Sequence, residues 1–172
     1  MKELLRMSGF LGLVAAVAGL TLAGTARLTK GKIEAARSDA ETVALGDVLP
    51  LARSFRPTDS HTVGLDAAGE TVGFVFKVKA PGYASVMEAL VGVDTGGAVT
   101  GIKVLYQNET PGLGDKVALP GFLGQFTGRR AAELKLKKDG GAIDAVTSAT
   151  ISSRALTNAV QERIDEFEKR GR

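Results

Sequence analysis

The chain has 172 residues, 22 basic against 19 acidic side chains for a net charge of +3, 22 glycines, one histidine, and neither cysteine nor tryptophan. That length holds one domain of ordinary size. Without cysteine, the chain forms no disulfide, iron–sulfur cluster, c-type haem link or thiol nucleophile, and a lone histidine argues against zinc, so no metal site is expected. The basic excess is local: residues 1–37 hold six basic and two acidic side chains, leaving 16 basic and 17 acidic in the remainder. A nucleic-acid footprint needs a basic face on a folded domain, so no nucleic-acid partner is expected.

Residues 7–26 read MSGFLGLVAAVAGLTLAGTA, an uncharged run between Arg6 and Arg27. As a helix rising about 1.5 Å per residue, it spans roughly 30 Å, the hydrocarbon thickness of a bilayer. A cleaved signal peptide competes with a retained anchor, because Lys2 and Arg6 form a basic start and Gly24, Thr25 and Ala26 offer small residues to a peptidase. The retained anchor, over residues 1–30, is the expectation. Charge assigns it no orientation, since Arg27, Lys30 and Lys32 follow as Lys2 and Arg6 precede.

Residues 31–50 carry Ile33, Ala36, Ala40 and Val43 at helical spacing and predict a connecting helix stopped at Leu49-Pro50. Residues 51–172 are then a single domain. Its first stretch, to Ala68, is polar and irregular, and His61 within it is read as a surface residue. From Thr71 to Lys79 the pattern alternates: Val72, Phe74, Phe76 and Val78 point one way, while Thr71, Gly73, Lys77 and Lys79 point the other, a half-buried strand that Val75 alone interrupts. Two apolar runs, 85–93 and 99–107, joined by Asp94-Thr95-Gly96-Gly97, form an antiparallel hairpin. Phe122 and Phe126 fit one or two helical turns, and residues 133–137 alternate Leu134 and Leu136 with charge. In the last segment Ile151, Ala155, Ala159, Ile164 and Phe167 form an apolar stripe with Arg163, Glu166 and Lys169 outside it, a terminal amphipathic helix. The fold class is α+β: one N-terminal transmembrane helix, then a mainly antiparallel sheet with flanking helices.

Two segments hold residues that local structure does not fully explain. In Glu109-Thr110-Pro111-Gly112-Leu113-Gly114-Asp115, Pro-Gly suits a type II turn. The turn leaves unexplained a carboxylate and a hydroxyl before it and a second glycine after it, which together would let backbone approach a flat ligand. In Asp144-Ala145-Val146-Thr147-Ser148-Ala149-Thr150, the hydroxyls precede a helix and are ordinary caps. A helix start is also an anion site, where unpaired amides and the positive dipole end favour a phosphate and a threonine hydroxyl could be esterified by one.

DAVTSAT resembles the flavinylation motif of the FMN-binding domain family, usually Asp-x-x-Ser/Thr-Gly-Ala-Thr, whose last threonine carries FMN through a phosphoester. ETPGLG, upstream, is that family's second hallmark. With the N-terminal helix, Leu49-Pro50, Gly82-Tyr83, the Phe122/Phe126 segment and ISSRAL, the likeness runs over nearly the whole chain. It is strongest to G subunits of Rnf ion-translocating complexes, with the C subunit of the sodium-pumping NADH:quinone reductase as a relative. The resemblance implies covalent FMN on Thr150, with Asp144, Thr147, Ser148 and Ala149 completing the motif read by a flavin transferase, and Glu109, Thr110, Gly112, Leu113 and Gly114 around the flavin. Ser148 departs from the commoner glycine, and Gln107-Asn108 stand where many relatives have histidine. It further implies an electron relay without its own substrate site, partnered by other membrane and redox subunits of an Rnf-type ferredoxin:NAD oxidoreductase. Its place is the inner (plasma) membrane, single-pass, with the flavin domain on the extracytoplasmic side. Two alternatives remain: a stand-alone extracytoplasmic flavoprotein reductase, and a membrane-tethered assembly module without cofactor.

Overall fold

The computed structural model describes residues 2–170. Its first element, α1 (Lys2–Val48), is one continuous helix, so the anchor and the connecting helix read from the sequence are not separated by a break. Contacts divide the chain into two units, one reaching to Ala40 and the other starting at Glu41. In the first unit the apolar side chains face outward, Phe10 at 70% and Leu20 at 75% exposure among them. It is long and apolar enough to cross a membrane. Its threonine hydroxyls are satisfied within the helix, as membrane interiors require: Thr21, Thr25 and Thr29 each donate to the carbonyl four residues back, at 2.8 Å.

The second unit is built on a five-stranded antiparallel meander, β1 (Ser54–Pro57), β2 (Thr62–Leu65), β3 (Thr71–Pro81), β4 (Val86–Asp94) and β5 (Val99–Tyr106), in sequential order. The predicted hairpin is β4–β5, its loop closed by the Ala98 amide donating to the Asp94 carboxylate at 2.9 Å and by Gly97 at φ +90°. On one face lies the main core, where Phe76, Val78, Met87, Val91 and Ile102 meet Phe122, Phe126, Leu156, Val160 and Ile164. Val75, the interruption in the alternating strand, faces the other way into a smaller core with Ala44, Val48, Leu49 and Leu90. Both faces are therefore covered, and β3 needs apolar residues on both.

The second face is shaped by missing side chains. Gly64, Gly73, Gly92 and Gly101, one from each of β2 to β5, lie beneath Val48 and Leu49. A Cβ on Gly92 would run into the Val48 carbonyl, one on Gly64 into the Leu49 side chain, and one on Gly101 would sit 3.1 Å from the Val48 Cα. Thr100 donates its hydroxyl to that Val48 carbonyl. Lys77 and Lys103 pair with Glu41 and Asp47, at 2.8 and 3.1 Å, and flank the seat.

On the main face, α2 (Pro120–Leu123) and the 3-10 turn after it set Phe122 edge-on to Phe126 with ring centroids 5.4 Å apart. Leu134 and Leu136 are buried, although the backbone there is 3-10 turns and a single bridge from Leu136 to Ile143. The terminal helix, α3 (Thr150–Lys169), packs Ala155, Ala159, Ile164 and Phe167 of the predicted stripe on the core, but its most buried line runs beside them. Ser153, Leu156, Thr157, Val160 and Ile164 face the core, whereas Ile151 is 55% exposed. The reason is hydrogen bonding: Ser153 accepts the Val146 amide at 3.0 Å and Thr157 donates to the Ser153 carbonyl at 2.8 Å, so both hydroxyls are buried satisfied. Arg163 also turns inward, its guanidinium 5.2 Å from the Phe76 ring centre.

His61 is not the simple surface residue expected from its polar surroundings. Its ring packs on Phe74, Phe76 and Phe167, with centroids 5.5, 6.0 and 5.2 Å away. Burial pushes its pKa below the ordinary 6.5, and the nearby Arg163 charge pushes it down further. The unfolded chain therefore takes up this proton at a higher pH than the folded domain. Stability is complete above about 6.5 and falls as the pH drops through the folded value. The urea midpoint is expected to decrease between about pH 7.5 and 5.5, and His61→Phe flattens that slope; an unchanged slope would refute the assignment. Gly92→Ala, which places a methyl against the Val48 carbonyl, is expected to lower unfolding free energy by about 1–3 kcal/mol in a denaturant titration.

Candidate functional site

The turn after β5 is organised by the Thr110 carbonyl, which accepts the amides of Leu113, Gly114 and Asp115 at 3.2, 3.0 and 3.4 Å. Gly112 supplies the positive φ, +76°, that Pro-Gly announced. Glu109 folds back beneath this turn and is 4% exposed. Its Oε1 accepts the Ala84 amide (3.1 Å), the Ser85 amide (2.9 Å) and the Ser85 hydroxyl (3.2 Å). Its Oε2 accepts the Tyr83 amide (3.2 Å) and the Ser152 hydroxyl (2.6 Å). Burial pushes the carboxyl pKa up, but the Ser152 hydroxyl, the Ser85 and Ala84 amides and the Ser85 hydroxyl together outweigh it, and the net shift is downward. The carboxylate is thus held ionised. Gly82 and Gly114 make room for it, since a Cβ on either would lie 2.5 Å from Oε1 or 2.8 Å from the Glu109 Cβ. Gln107 and Asn108 serve the same knot: the Gln107 side chain accepts the Glu109 amide at 2.7 Å, and the Asn108 amide donates to the Ser85 hydroxyl at 2.9 Å.

The second segment enters α3 through Ser148, at φ +66° the non-glycine residue with left-handed backbone among the described residues. That conformation explains why a glycine is the commoner choice there. The hydroxyls do not cap the helix as the local account supposed. The N-cap is Ala149, with no side-chain cap, and the first bond into the helix is Ser153 N–H to the Ala149 carbonyl at 2.9 Å. The amides of Thr150, Ile151 and Ser152 precede that bond and face no capping side chain or acidic residue in the first turn. Half-buried Thr150 gives its hydroxyl no hydrogen-bond partner among the described residues.

These two segments line a cavity of about 310 Å³, to which Tyr83, Glu109, Thr110, Leu113 and Gly114 contribute together with Ser148, Ala149, Thr150, Ile151 and Ser152. Seven of the residues expected from sequence therefore share one site. Gly112 forms the turn behind it. Thr147 is exposed and outside the lining. Asp144 also stands outside: its backbone is held at both ends by the Gln125 amide group, and its carboxylate pairs with Lys137 at 2.6 Å. Tyr83, Ile151 and Ser152 line the cavity without having been expected there. Gly82-Tyr83 is a visible signal, whereas nothing local shows that Ser152 meets a carboxylate 43 positions earlier.

The cavity has two chemical halves. Unpaired amides and a free hydroxyl at the start of a 20-residue helix suit a phosphate, and the exposed apolar side chains of Tyr83, Leu113 and Ile151 suit a flat aromatic group. Its volume is at the lower end of ligand sites, about 300–1,000 Å³, so a ligand as large as a flavin nucleotide fits with part of it outside. The residues present thus fit a flavin mononucleotide.

Residues 82–165 match the FMN-binding domain family. The chain is 30% identical to the G subunit of the ion-translocating oxidoreductase complex of Methanosarcina acetivorans, over 95% of this chain and 94% of that one. It is 32% identical to the G subunit of the sodium-translocating ferredoxin:NAD oxidoreductase complex of Acetobacterium woodii, over 97% and 93%. Among solved structures, it is similar to NqrC of Shewanella oneidensis with a TM-score of 0.50 and 22% identity, over 63% of this chain and 60% of that one. For the C subunit of the sodium-translocating NADH-quinone reductase of Parabacteroides distasonis the TM-score is 0.51 and the identity 19%, over 63% and 61%. The chain spans about three fifths of those two proteins, and the likeness to them is one of fold. The chain belongs to the family of G subunits of Rnf-type ion-translocating oxidoreductases and carries an FMN-binding domain.

Proposed function

We propose that this chain is a membrane-anchored electron-transfer subunit that carries FMN as a phosphoester on Thr150, within an Rnf-type ion-translocating ferredoxin:NAD oxidoreductase complex. The observation that carries the proposal is the start of α3: no side chain caps it, its first amides are unpaired, and the Thr150 hydroxyl stands free at the cavity. An uncapped helix start loses about 1 kcal/mol relative to a capped one. A chain with Thr147 and Ser148 at hand that leaves this start open keeps it for something else.

In this reading the amides of Thr150, Ile151 and Ser152 hold the phosphate, and Ser148 and Ala149 leave its approach open. Leu113, Ile151 and Tyr83 offer apolar surface to the ring system, and Glu109 holds the three surrounding segments together. The flavin, when bound, supplies the one-electron chemistry. Asp144 and Thr147, outside the cavity and exposed, are where a flavin transferase reads the motif. On esterification Thr150 gives up its hydroxyl proton and gains a bond to phosphorus, while an activated flavin nucleotide loses its leaving group.

The exposed apolar helix, with its internally satisfied threonines, supports residues 1–30 as the anchor, 31–50 as its continuation and 51–172 as the flavin domain. The family resemblance supports an extracytoplasmic domain at the inner (plasma) membrane and a set of partner membrane and redox subunits.

Intact mass of the full chain, co-expressed with a flavin transferase, is expected to show the N-terminal segment retained and one FMN added as an ester. Thr150→Ala is expected to abolish the added mass while changing stability by about 1 kcal/mol or less, because its hydroxyl has no partner to lose. Covalent flavin surviving in that variant would move the attachment elsewhere, and a mature terminus at Arg27 would make the apolar segment a cleaved signal.

A further inference from the structure

Among the residues that line the cavity, Glu109 is the one carboxylate, and no lysine, arginine or histidine lines it. Carboxylates this deeply buried are normally paired with a cation or lose their charge. Glu109 does neither. Its donors are three backbone amides and two hydroxyls, all neutral, and no salt bridge reaches it among the described residues. Dipoles of this kind stabilise a charge where it sits without removing it. A full negative charge therefore stands at the wall of the cavity with no cation beside it.

Glu109 and Thr150 line the same cavity, and the Ser152 hydroxyl ties the carboxylate to the first turn of the helix that Thr150 begins. Any electron delivered into this cavity adds negative charge beside that carboxylate unless a proton comes with it. The start of α3 carries a positive field of its own, but a phosphate bound there uses it. Nothing else in the lining is charged to offset Glu109.

We infer that the uncompensated charge of Glu109 sets the redox potential of the flavin on Thr150, holding it more negative than the same cavity would without that charge. The inference rests on the reading of the cavity as the flavin site. It separates two roles that one buried residue can combine: the hydrogen bonds position the walls, and the charge tunes what happens between them.

The test is a spectroelectrochemical titration of the covalent flavin in the full-length, detergent-solubilised chain, near neutral pH. Three forms are compared: unchanged, Glu109→Gln and Ser152→Ala. Removing the charge in Glu109→Gln is expected to move the midpoint potential to more positive values. Ser152→Ala keeps the charge and removes the hydroxyl dipole aimed at it, so its midpoint is expected to move to more negative values. Opposite signs are the signature of charge. Midpoints that move the same way in both variants show distortion of the cavity and overturn the inference, as does an unchanged midpoint in Glu109→Gln. Should Glu109→Gln fail to fold, Ser152→Ala decides alone: a negative shift supports the inference, and no shift or a positive one overturns it. If the unchanged chain carries no flavin, the reading of the site itself fails, and that result is distinct from a flavin whose potential ignores Glu109.

Discussion

A carboxylate taken out of water must be given donors or give up its charge, and around Glu109 that requirement has organised three separate stretches of chain. The turn between β3 and β4 contributes amides and a hydroxyl, the first turn of α3 contributes Ser152, and the ETPGLG turn contributes Glu109 itself. Charge-assisted bonds of this kind are worth about 1.5–3 kcal/mol each when broken. The cavity beside Thr150 has its walls where they are because these bonds hold them. The glycines follow from the same constraint: Gly82 and Gly114 are small because the carboxyl occupies the space their side chains would fill.

A parallel constraint acts on the far face of the sheet. The end of α1 approaches the strands so closely that backbone meets backbone, and Gly64, Gly73, Gly92 and Gly101 make that approach possible. Glycine is an unfavourable residue inside a strand, by entropy and by lost packing. Four beneath Val48 and Leu49, in two cross-strand pairs, are tolerated because the apolar contact they permit leaves Leu49 fully buried and Val48 nearly so. The domain thus presents one face to the helix that leads into it and reserves the other for the core that carries the site.

The chemistry is divided in the same way. The chain offers no cysteine or tryptophan, and its candidate site offers a free hydroxyl, unpaired amides and apolar surface instead. Such a site is suited to holding a group that brings its own chemistry. This suits a family whose members are subunits of ion-translocating oxidoreductase complexes.

Much of this was legible in the residues taken one after another. Alternation showed β3, the Asp94-Thr95-Gly96-Gly97 loop showed the β4–β5 hairpin, and an unbroken apolar run showed the N-terminal helix, because period, turn chemistry and length are local properties. The two motifs could be read as belonging to one site only by resemblance. What remained illegible depended on partners far away in sequence. The inward face of α3 runs through Ser153 and Thr157, which look like surface residues until their hydroxyls are seen to be satisfied. His61 sits in a polar stretch, yet three phenylalanines from β3 and α3 enclose its ring. The sequence by itself determined β3, the β4–β5 hairpin, the apolar N-terminal helix and the threonine with a motif around it, but not β1 and β2, which lie in a stretch read as irregular and form by pairing with β3. Only the tertiary structure decided that the helix start is open, that Thr150 faces a cavity, and that Glu109 is a buried charge and not a surface acid, because burial and hydrogen bonding are settled by distant segments meeting.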